Sequence, residues 1–215
     1  KPMTWVGALT DEVPPPQIKE LEKNDGLKYL PVELDLDLYR KYYNDFCNDV
    51  LWPLLHYESE FVKYHKEAWD AYVKVNQEFA ERLLQEVQTG DLVWVHDYHL
   101  FLLPGLLKKE RPDIRVGFFL HIPFPSSEVY RQLPVRKEIL NSLTAADLIG
   151  FHDYSYLRHF GSSVYHLLGI HSSLLSLQFE NHTTNLGVFP VSIDTDDFAQ
   201  KAHKATTQDK ISKYR

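Results

Sequence analysis

The sequence predicts an α/β fold in which a parallel β-sheet is flanked by helices. Short apolar segments alternate along most of the chain with longer segments in which apolar residues recur every three or four positions. This alternation is typical of βα units and of a doubly wound parallel sheet. The segment Val116–Leu120 is apolar without interruption, as expected of a strand buried on both faces.

Two strands and three helices are predicted ahead of Gly90. The strands are Thr4–Leu9 and Leu27–Leu34, and the helices are Gln17–Lys23, Asp37–Asp49 and Glu58–Gln88. Asp35 or Asp37 can cap the second helix, because a carboxylate there accepts a hydrogen bond from a free backbone N–H. Pro53 disfavours helix at Trp52, so we expect the chain to turn there. The third helix is one long helix or two abutting ones, and Gly90 is suited to end it.

Three βα units follow, and after them come two extended segments. The strands are Asp91–Val95, Ile114–Leu120 and Asp147–Phe151, and the helices are Tyr98–Glu110, Ser126–Ala146 and Tyr154–Leu168. Pro134 splits the second of these helices and Gly169 ends the third. Ser173–Phe179 and Thr184–Val191 are typical of a hairpin or an extended pair, and Asp194 begins a last helix.

Composition and charge exclude several classes of protein. The net charge is −7 and no Lys/Arg stripe is present, so nucleic acid is not an expected partner. No apolar run approaches the roughly 20 residues of a membrane span. Cys47 is the single cysteine, so an internal disulfide is excluded and a reducing compartment, the cytoplasm, is expected.

The segments Trp94–His99 and His121–Pro125 each begin where a predicted buried strand ends. Ligands of open α/β sheets bind beyond the carboxyl ends of the strands. We therefore expect Asp97 and His121 to form one wall of a polar cleft for a small, hydroxyl-rich ligand. For Asp97 the alternative is an N-cap of the following helix, and for His121 it is a core histidine bonded to a backbone carbonyl.

Two aromatic residues are further candidates. Tyr43 and Trp52 lie on either side of a predicted helix end. Such rings stack on sugar faces, and a tyrosine hydroxyl can bind a phosphate or a hydroxyl group. Packing in the core is the alternative for both.

Other site chemistries find little support in the sequence. His96 and His99 have a spacing that resembles a metal-ligand pair, but a third ligand would have to come from elsewhere. No glycine-rich G-x-G-x-x-G loop, Walker sequence or nucleophile elbow is recognisable. Cys47 lies in an apolar helical context, which is typical of an inert thiol.

Several long motifs closely resemble the trehalose-6-phosphate synthase family. They are Tyr43–Tyr57, Val93–Leu100, Gly117–Ser126, Asp147–Phe151 and Gly187–Asp194. They occur in the order of the family, and the resemblance covers nearly all of the chain.

The resemblance implies the N-terminal half of a retaining GT-B glucosyltransferase, in which two Rossmann-like domains face a cleft. Such enzymes transfer glucose from UDP-glucose to glucose 6-phosphate and release UDP. By resemblance, Tyr43, Trp52 and Asp97 contact glucose 6-phosphate. His121 lies against the transferred glucosyl group, and Asp97 and His121 are the expected catalytic residues. Neither a metal nor another cofactor is implied.

The resemblance also divides the chain. It makes residues 1–200 the acceptor-side domain and residues 201–215 a polar tail or the start of a connection to a second, nucleotide-binding domain. A phosphate-binding Arg and a glycine-rich loop of the family would precede Lys1, so we expect this part alone to be inactive. The alternative function is a non-catalytic synthase-like domain for regulation or assembly, in some cases fused to a trehalose-phosphate phosphatase. A homo-oligomeric state also stays open.

Overall fold

The computed structural model describes residues 3–10, 27–179 and 181–203. The strands are β1 Thr4–Leu9, β2 Lys28–Glu33, β3 Leu92–His96, β4 Arg115–Leu120, β5 Leu148–Phe151, β6 Ser176–Gln178 and β7 Thr183–Val188. The α-helices are α1 Leu36–Arg40, α2 Trp52–Leu55, α3 Lys66–Leu84, α4 Leu103–Glu110, α5 Ser127–Tyr130, α6 Arg136–Leu143, α7 Tyr154–Leu168 and α8 Thr195–His203. A π-helix, Lys41–Leu51, joins α1 to α2, and two 3₁₀ turns lie at Ser59–Phe61 and Tyr98–Leu100.

The predicted parallel sheet is confirmed. Strands β3, β4, β5 and β7 are parallel neighbours, and β6 adds an antiparallel edge to give the order β3-β4-β5-β7-β6. Strands β1 and β2 form a separate parallel pair. His96 lies opposite Phe119 in the β3–β4 register, so these two strands end side by side. The register therefore brings the residues that follow them, including Asp97 and His121, to one edge of the sheet.

The helical layer packs on one face of the five-stranded sheet. Helix α4 contacts β4, and α7 contacts β5 and β7. On this face Val95, Phe118 and Ile149 are at most 2% exposed. Because these side chains are removed from water by the helices, burial of this apolar layer stabilises the fold.

The opposite face of the sheet opens onto an apolar groove of about 730 Å³. Leu92 and Trp94 line it and are 64% and 63% exposed. The prediction that Val116–Leu120 is buried on both faces holds for Phe119, which is 9% exposed on this side, whereas Gly117 is half-buried at the groove. Phe119 is shielded here by the rings of His121, His152 and Phe189, a local aromatic cluster that hydrophobic patterning does not reveal.

Two strand glycines make room for these rings. A Cβ atom on Gly150 would lie 2.5 Å from the Phe119 ring, and one on Gly187 would lie 2.6 Å from the Phe189 ring. These separations are far below van der Waals contact. The rings can therefore lie flat on the sheet only where the strand carries no side chain.

The chain is helical on both sides of Pro53, where the sequence predicts a turn. Helix α1, the π-helix and α2 follow one another from Leu36 to Leu55, and Trp52 has helical φ and ψ of −55° and −56°. The prediction of a turn at Trp52 is therefore wrong. Pro53 has no N–H for the carbonyl of Asp49, and the backbone N–H of Lys63 donates to that oxygen instead, at 3.0 Å.

The long helix is shorter than predicted. It begins at Lys66 and ends at Leu84, because the chain is extended at Val62 after the first 3₁₀ turn. Gly90 does not cap it. With φ of 84°, Gly90 instead lies in the turn that leads into β3. Asp35, by contrast, is confirmed as a cap, since its carboxylate accepts from the backbone N–H of Leu38 at 2.9 Å.

Some predictions fall at or beyond the edges of the described chain. The helix predicted at residues 17–23 and residues 204–215 of the polar tail lie outside the described residues. Helix α8 crosses the predicted boundary between residues 200 and 201. Within the described ranges, no helix combines the length and the apolar character that crossing a membrane requires.

We expect Gly150→Ala to destabilise the chain and Gly117→Ala to have little effect. The new methyl at position 150 would overlap the Phe119 ring, whereas the atom nearest a Cβ on Gly117 is 3.9 Å away, in Trp94. Overpacking of this kind costs about 1–3 kcal/mol. Urea unfolding of the two variants measures the difference, and equal midpoints would contradict this account of the glycine.

Candidate functional site

Asp97 has an unusual backbone conformation at the end of β3. Its φ and ψ are 68° and 173°, in a region that essentially only glycine populates without strain. Its N–H donates to the carbonyl of Phe119 at 2.8 Å, so the β3–β4 pairing continues one residue past His96. Such strained residues cluster at functional sites.

The Asp97 carboxylate is directed to the neighbouring strand end. It makes no capping bond to the turn that follows, so the N-cap alternative is wrong. Its Oδ1 accepts from the backbone N–H of His121 at 3.2 Å. Within the described residues, no hydrogen bond reaches Oδ2. One carboxylate oxygen thus positions the two strand ends, and the other is available to a ligand hydroxyl.

His121 presents its ring at the carboxyl edge of the sheet. Its Nε2 lies 2.9 Å from Nδ1 of His96, and the two ring centroids are 5.2 Å apart. The alternative of a core histidine bonded to a backbone carbonyl is therefore wrong. The ring of His152, the first residue after β5, lies edge-on to His121 at 5.7 Å.

The loop after His121 is fixed at several points. Phe124 is 1% exposed and packs on the rings of Tyr130 and Phe160. The backbone N–H of Ser126 donates to the hydroxyl of Tyr57 at 2.9 Å. Tyr57 itself is held in a left-handed conformation, with φ of 66°. Because both ends of the loop are fixed, the His121 backbone has a defined position, as a preorganised site requires.

Buried polar groups hold the turn that follows Asp97. The hydroxyl of Tyr72 donates to the Tyr98 carbonyl at 2.7 Å and accepts from the N–H of Phe101 at 2.9 Å. Asn76 donates to the carbonyl of His99 at 3.2 Å. Since both side chains are fully buried on α3, this helix fixes the turn from below.

Tyr43 and Trp52 both contact this same turn. The Tyr43 ring is sandwiched between Tyr39 and His99, at centroid distances of 5.4 Å and 5.3 Å. Its two faces are therefore occupied, and it can offer a ligand its hydroxyl rather than its ring. Trp52 is 42% exposed, with its ring 5.9 Å from that of Tyr98, so its indole keeps accessible surface.

The structure thus brings the four predicted site residues to one edge of the sheet, where two are bonded to each other and two contact the adjacent turn. Asp97 and His121 are joined by a hydrogen bond. Tyr43 and Trp52 contact His99 and Tyr98, respectively, in the turn next to Asp97. Within the described part of the chain, no hydrogen bond joins either aromatic residue to the Asp97 carboxylate.

The rings of His96 and His99 do not converge on a common metal position. The His96 ring faces His121, whereas the His99 ring stacks on Tyr43. No group of three or more His, Cys, Asp or Glu in the described ranges is arranged to hold a metal ion. Burial lowers the pKa of both His96 and His99, and the charge of Asp97 partly offsets this. The Nε2 atom of His99 is buried, and no described residue forms a hydrogen bond with it.

Sequence reasoning missed two residues of this cluster. His152 directly follows a strand, as Asp97 and His121 do, so the same strand-end rule could have found it. Tyr57 carried no comparable signal. Its role depends on a bond to Ser126, which is 69 residues away in the sequence.

Comparison with known proteins identifies the family. The sequence profile of glycosyltransferase family 20 matches residues 1–215. The chain belongs to this family. It is 43% identical over 215 residues to an Aspergillus niger protein named alpha,alpha-trehalose-phosphate synthase [UDP-forming] 2, covering 97% of this chain and 45% of that protein. The chain thus spans about half the length of such family 20 relatives.

Solved structures of similar proteins have the same fold. The N-terminal domain of Candida albicans trehalose-6-phosphate phosphatase matches with a TM-score of 0.80 and 33% identity, over 98% of this chain and 46% of that one. An Escherichia coli structure, described as trehalose-6-phosphate bound with UDP-2-fluoro glucose, matches with a TM-score of 0.81 and 30% identity, over 94% and 45%. The chain therefore shares the fold of about half of each of these GT-B proteins.

We expect the stability of the chain to fall in mild acid, in part through His99. A histidine with a lowered folded pKa favours the native state when neutral, above its ordinary pKa of about 6.5. That contribution is lost as the pH falls below about 6.5 towards the lowered folded value. His99→Phe removes the titration and keeps a ring against Tyr43.

Urea unfolding over a pH series tests this. The free energy of unfolding of the wild type should decline more steeply below about pH 6.5 than that of His99→Phe. His166→Phe, at an exposed position on α7, is the matched control and should follow the wild type. Identical pH dependence in the wild type and His99→Phe would contradict the prediction.

Proposed function

We propose that this chain is the acceptor-side domain of a UDP-forming trehalose-6-phosphate synthase. The complete enzyme would transfer glucose from UDP-glucose to glucose 6-phosphate, giving α,α-trehalose 6-phosphate and UDP. The observation that carries the proposal is the Asp97 carboxylate, fixed by one oxygen to the His121 backbone with the other oxygen available. The name of the Aspergillus relative and the donor analogue in the E. coli structure support the same reaction.

In this proposal Asp97, Tyr43 and Trp52 bind the acceptor. Asp97 Oδ2 accepts a hydrogen bond from a sugar hydroxyl. Tyr43 contacts the ligand through its hydroxyl, since its ring faces are occupied by Tyr39 and His99. Trp52 offers indole surface to the sugar.

His121 would lie against the glucosyl group as it leaves the donor. The transition state of such a transfer is oxocarbenium-like, and the departing phosphate takes the proton of the acceptor hydroxyl. No nucleophile from the protein is needed, so the protein contributes positioning and electrostatic stabilisation. The strained, hydrogen-bonded strand ends suit that task because their groups need not move to meet the substrate.

The remaining parts of the reaction lie elsewhere in the enzyme. We propose residues 1–200 as the acceptor-side domain, with the nucleotide bound by a second domain and the chain inactive on its own. The buried thiol of Cys47, the single cysteine, supports a cytoplasmic location.

One observation favours a second candidate function. The Candida structure is the N-terminal domain of a protein named a phosphatase, so a similar domain exists beside that activity. In this candidate the chain is a non-catalytic domain for regulation or assembly. The arrangement of Asp97 and His121 favours the synthase, because strained residues such as Asp97 cluster at functional sites and its second carboxylate oxygen has no partner among the described residues.

Steady-state kinetics of the full-length protein that carries this chain test the proposal. Asp97→Ala should lower kcat/KM for glucose 6-phosphate about 5- to 150-fold, the equivalent of about 1–3 kcal/mol for a lost buried polar contact. His121→Ala should lower kcat more than it raises the KM for the acceptor. Asp70→Asn, an exposed carboxylate paired with Lys66 on α3, is the matched control.

The outcomes separate the two candidates. UDP release that depends on glucose 6-phosphate and is slowed by that amount in Asp97→Ala supports the synthase. Near-wild-type kinetics in Asp97→Ala would refute the assignment of Asp97. A full-length protein without any UDP release would favour the non-catalytic domain.

A further inference from the structure

We propose that His96 is a positioning residue that holds the ring of His121 in one orientation, with its Nε2 bonded and its Nδ1 left for a substrate. The proposal rests on the proposed function, because it assumes that His121 acts on the transferred glucosyl group. It adds a residue to the site that the acceptor- and donor-binding assignments leave out.

The ring-to-ring contact carries the inference. Nδ1 of His96 and Nε2 of His121 are 2.9 Å apart, a normal hydrogen-bond length. An N–H···N bond needs one donor and one acceptor, so one of the two nitrogens must lack a proton. The pair therefore binds at most one extra proton while the bond is intact.

The contact also determines which nitrogen His121 can offer a substrate. Nε2 is engaged with His96, and no hydrogen bond among the described residues reaches Nδ1. If His96 donates the shared hydrogen, neutral His121 carries its proton on Nδ1 and donates to a sugar oxygen. If His121 donates it, Nδ1 accepts from a sugar hydroxyl. Without His96, no hydrogen bond in the described residues would hold Nε2 away from the substrate.

His96 is well placed for such a role. It is the last residue of β3, where pairing with Phe119 fixes its backbone, and the Trp94 ring packs on it at 4.5 Å. Burial, and then the neighbouring His121, lower its pKa, which keeps it neutral and able to share a proton. The other titratable groups facing the pair are Asp97 at the strand end and His152 after β5.

NMR of the full chain, labelled with ¹⁵N at histidine, tests the geometry directly. A scalar coupling between Nδ1 of His96 and Nε2 of His121 is expected. His96→Ala should abolish the coupling. His166→Ala, at an exposed position, should leave it unchanged. A wild-type spectrum without this coupling would overturn the proposal.

Kinetics of the full-length protein test the consequence. His96→Ala should lower kcat roughly 10- to 100-fold, as misplacement of a reacting group does, with little change in the KM for the acceptor. His96→Asn should recover most of that loss, because an Asn side chain can place a nitrogen or oxygen where Nδ1 lies. A kcat that is near wild type in His96→Asn and low in His96→Ala distinguishes a positioning role from general support of the fold.

The two experiments fail in distinguishable ways. Wild-type kinetics in His96→Ala, in a protein that releases UDP, would overturn the positioning role and leave the proposed function intact. A full-length wild type with no UDP release would refute the proposed function, while the NMR experiment would still decide whether His96 fixes the His121 ring. If His96→Ala fails to fold, judged from its amide spectrum, the comparison is made between His96→Asn and wild type.

Discussion

The pairing of β3 with β4 is the interaction on which the candidate site depends. It extends one residue beyond His96, through the bond from the Asp97 N–H to the Phe119 carbonyl at 2.8 Å. Side chains alternate along a strand, so an ordinary extended residue at position 97 would point to the helix-covered face with Val95. The left-handed φ of Asp97 breaks this alternation and turns its carboxylate to the backbone of His121.

The surroundings of Asp97 explain how a strained residue is tolerated. The turn after it is hydrogen-bonded by two fully buried side chains of α3, Tyr72 and Asn76, so its backbone cannot relax without leaving those groups unpaired. On the other side the π-helix presents Tyr43 to the same turn. Wide helical turns of this kind are frequent at functional sites. Packing energy from the core thus maintains a backbone conformation that the site uses.

The fold and part of the site could be predicted from sequence because they follow from local patterns. The alternation of apolar runs predicted the parallel strands, and the strand-end rule placed Asp97 beside His121. The helix through Pro53 could not be predicted, since the group that bonds the Asp49 carbonyl, the Lys63 N–H, comes from a later part of the chain. The uncovered face of the sheet could not be predicted either. An apolar sequence pattern favours a buried strand, but it does not say which element, if any, covers each face. The contact of His96 with His121 depends on side-chain rotamers, which spacing does not determine.

The Asp97–His121 bond has a consequence for the proposed reaction. If Asp97 contacts the acceptor and His121 the transferred sugar, the groups that hold the two reactants are joined by a single side chain-to-backbone hydrogen bond. The distance between these two groups is then set within this domain and does not depend on how two domains close on each other. Proximity contributes to catalysis only when reacting atoms are held within a few tenths of an ångström of contact distance. Domain closure would have to bring the nucleotide to this unit, but it would not have to align the two sugar-binding residues with each other.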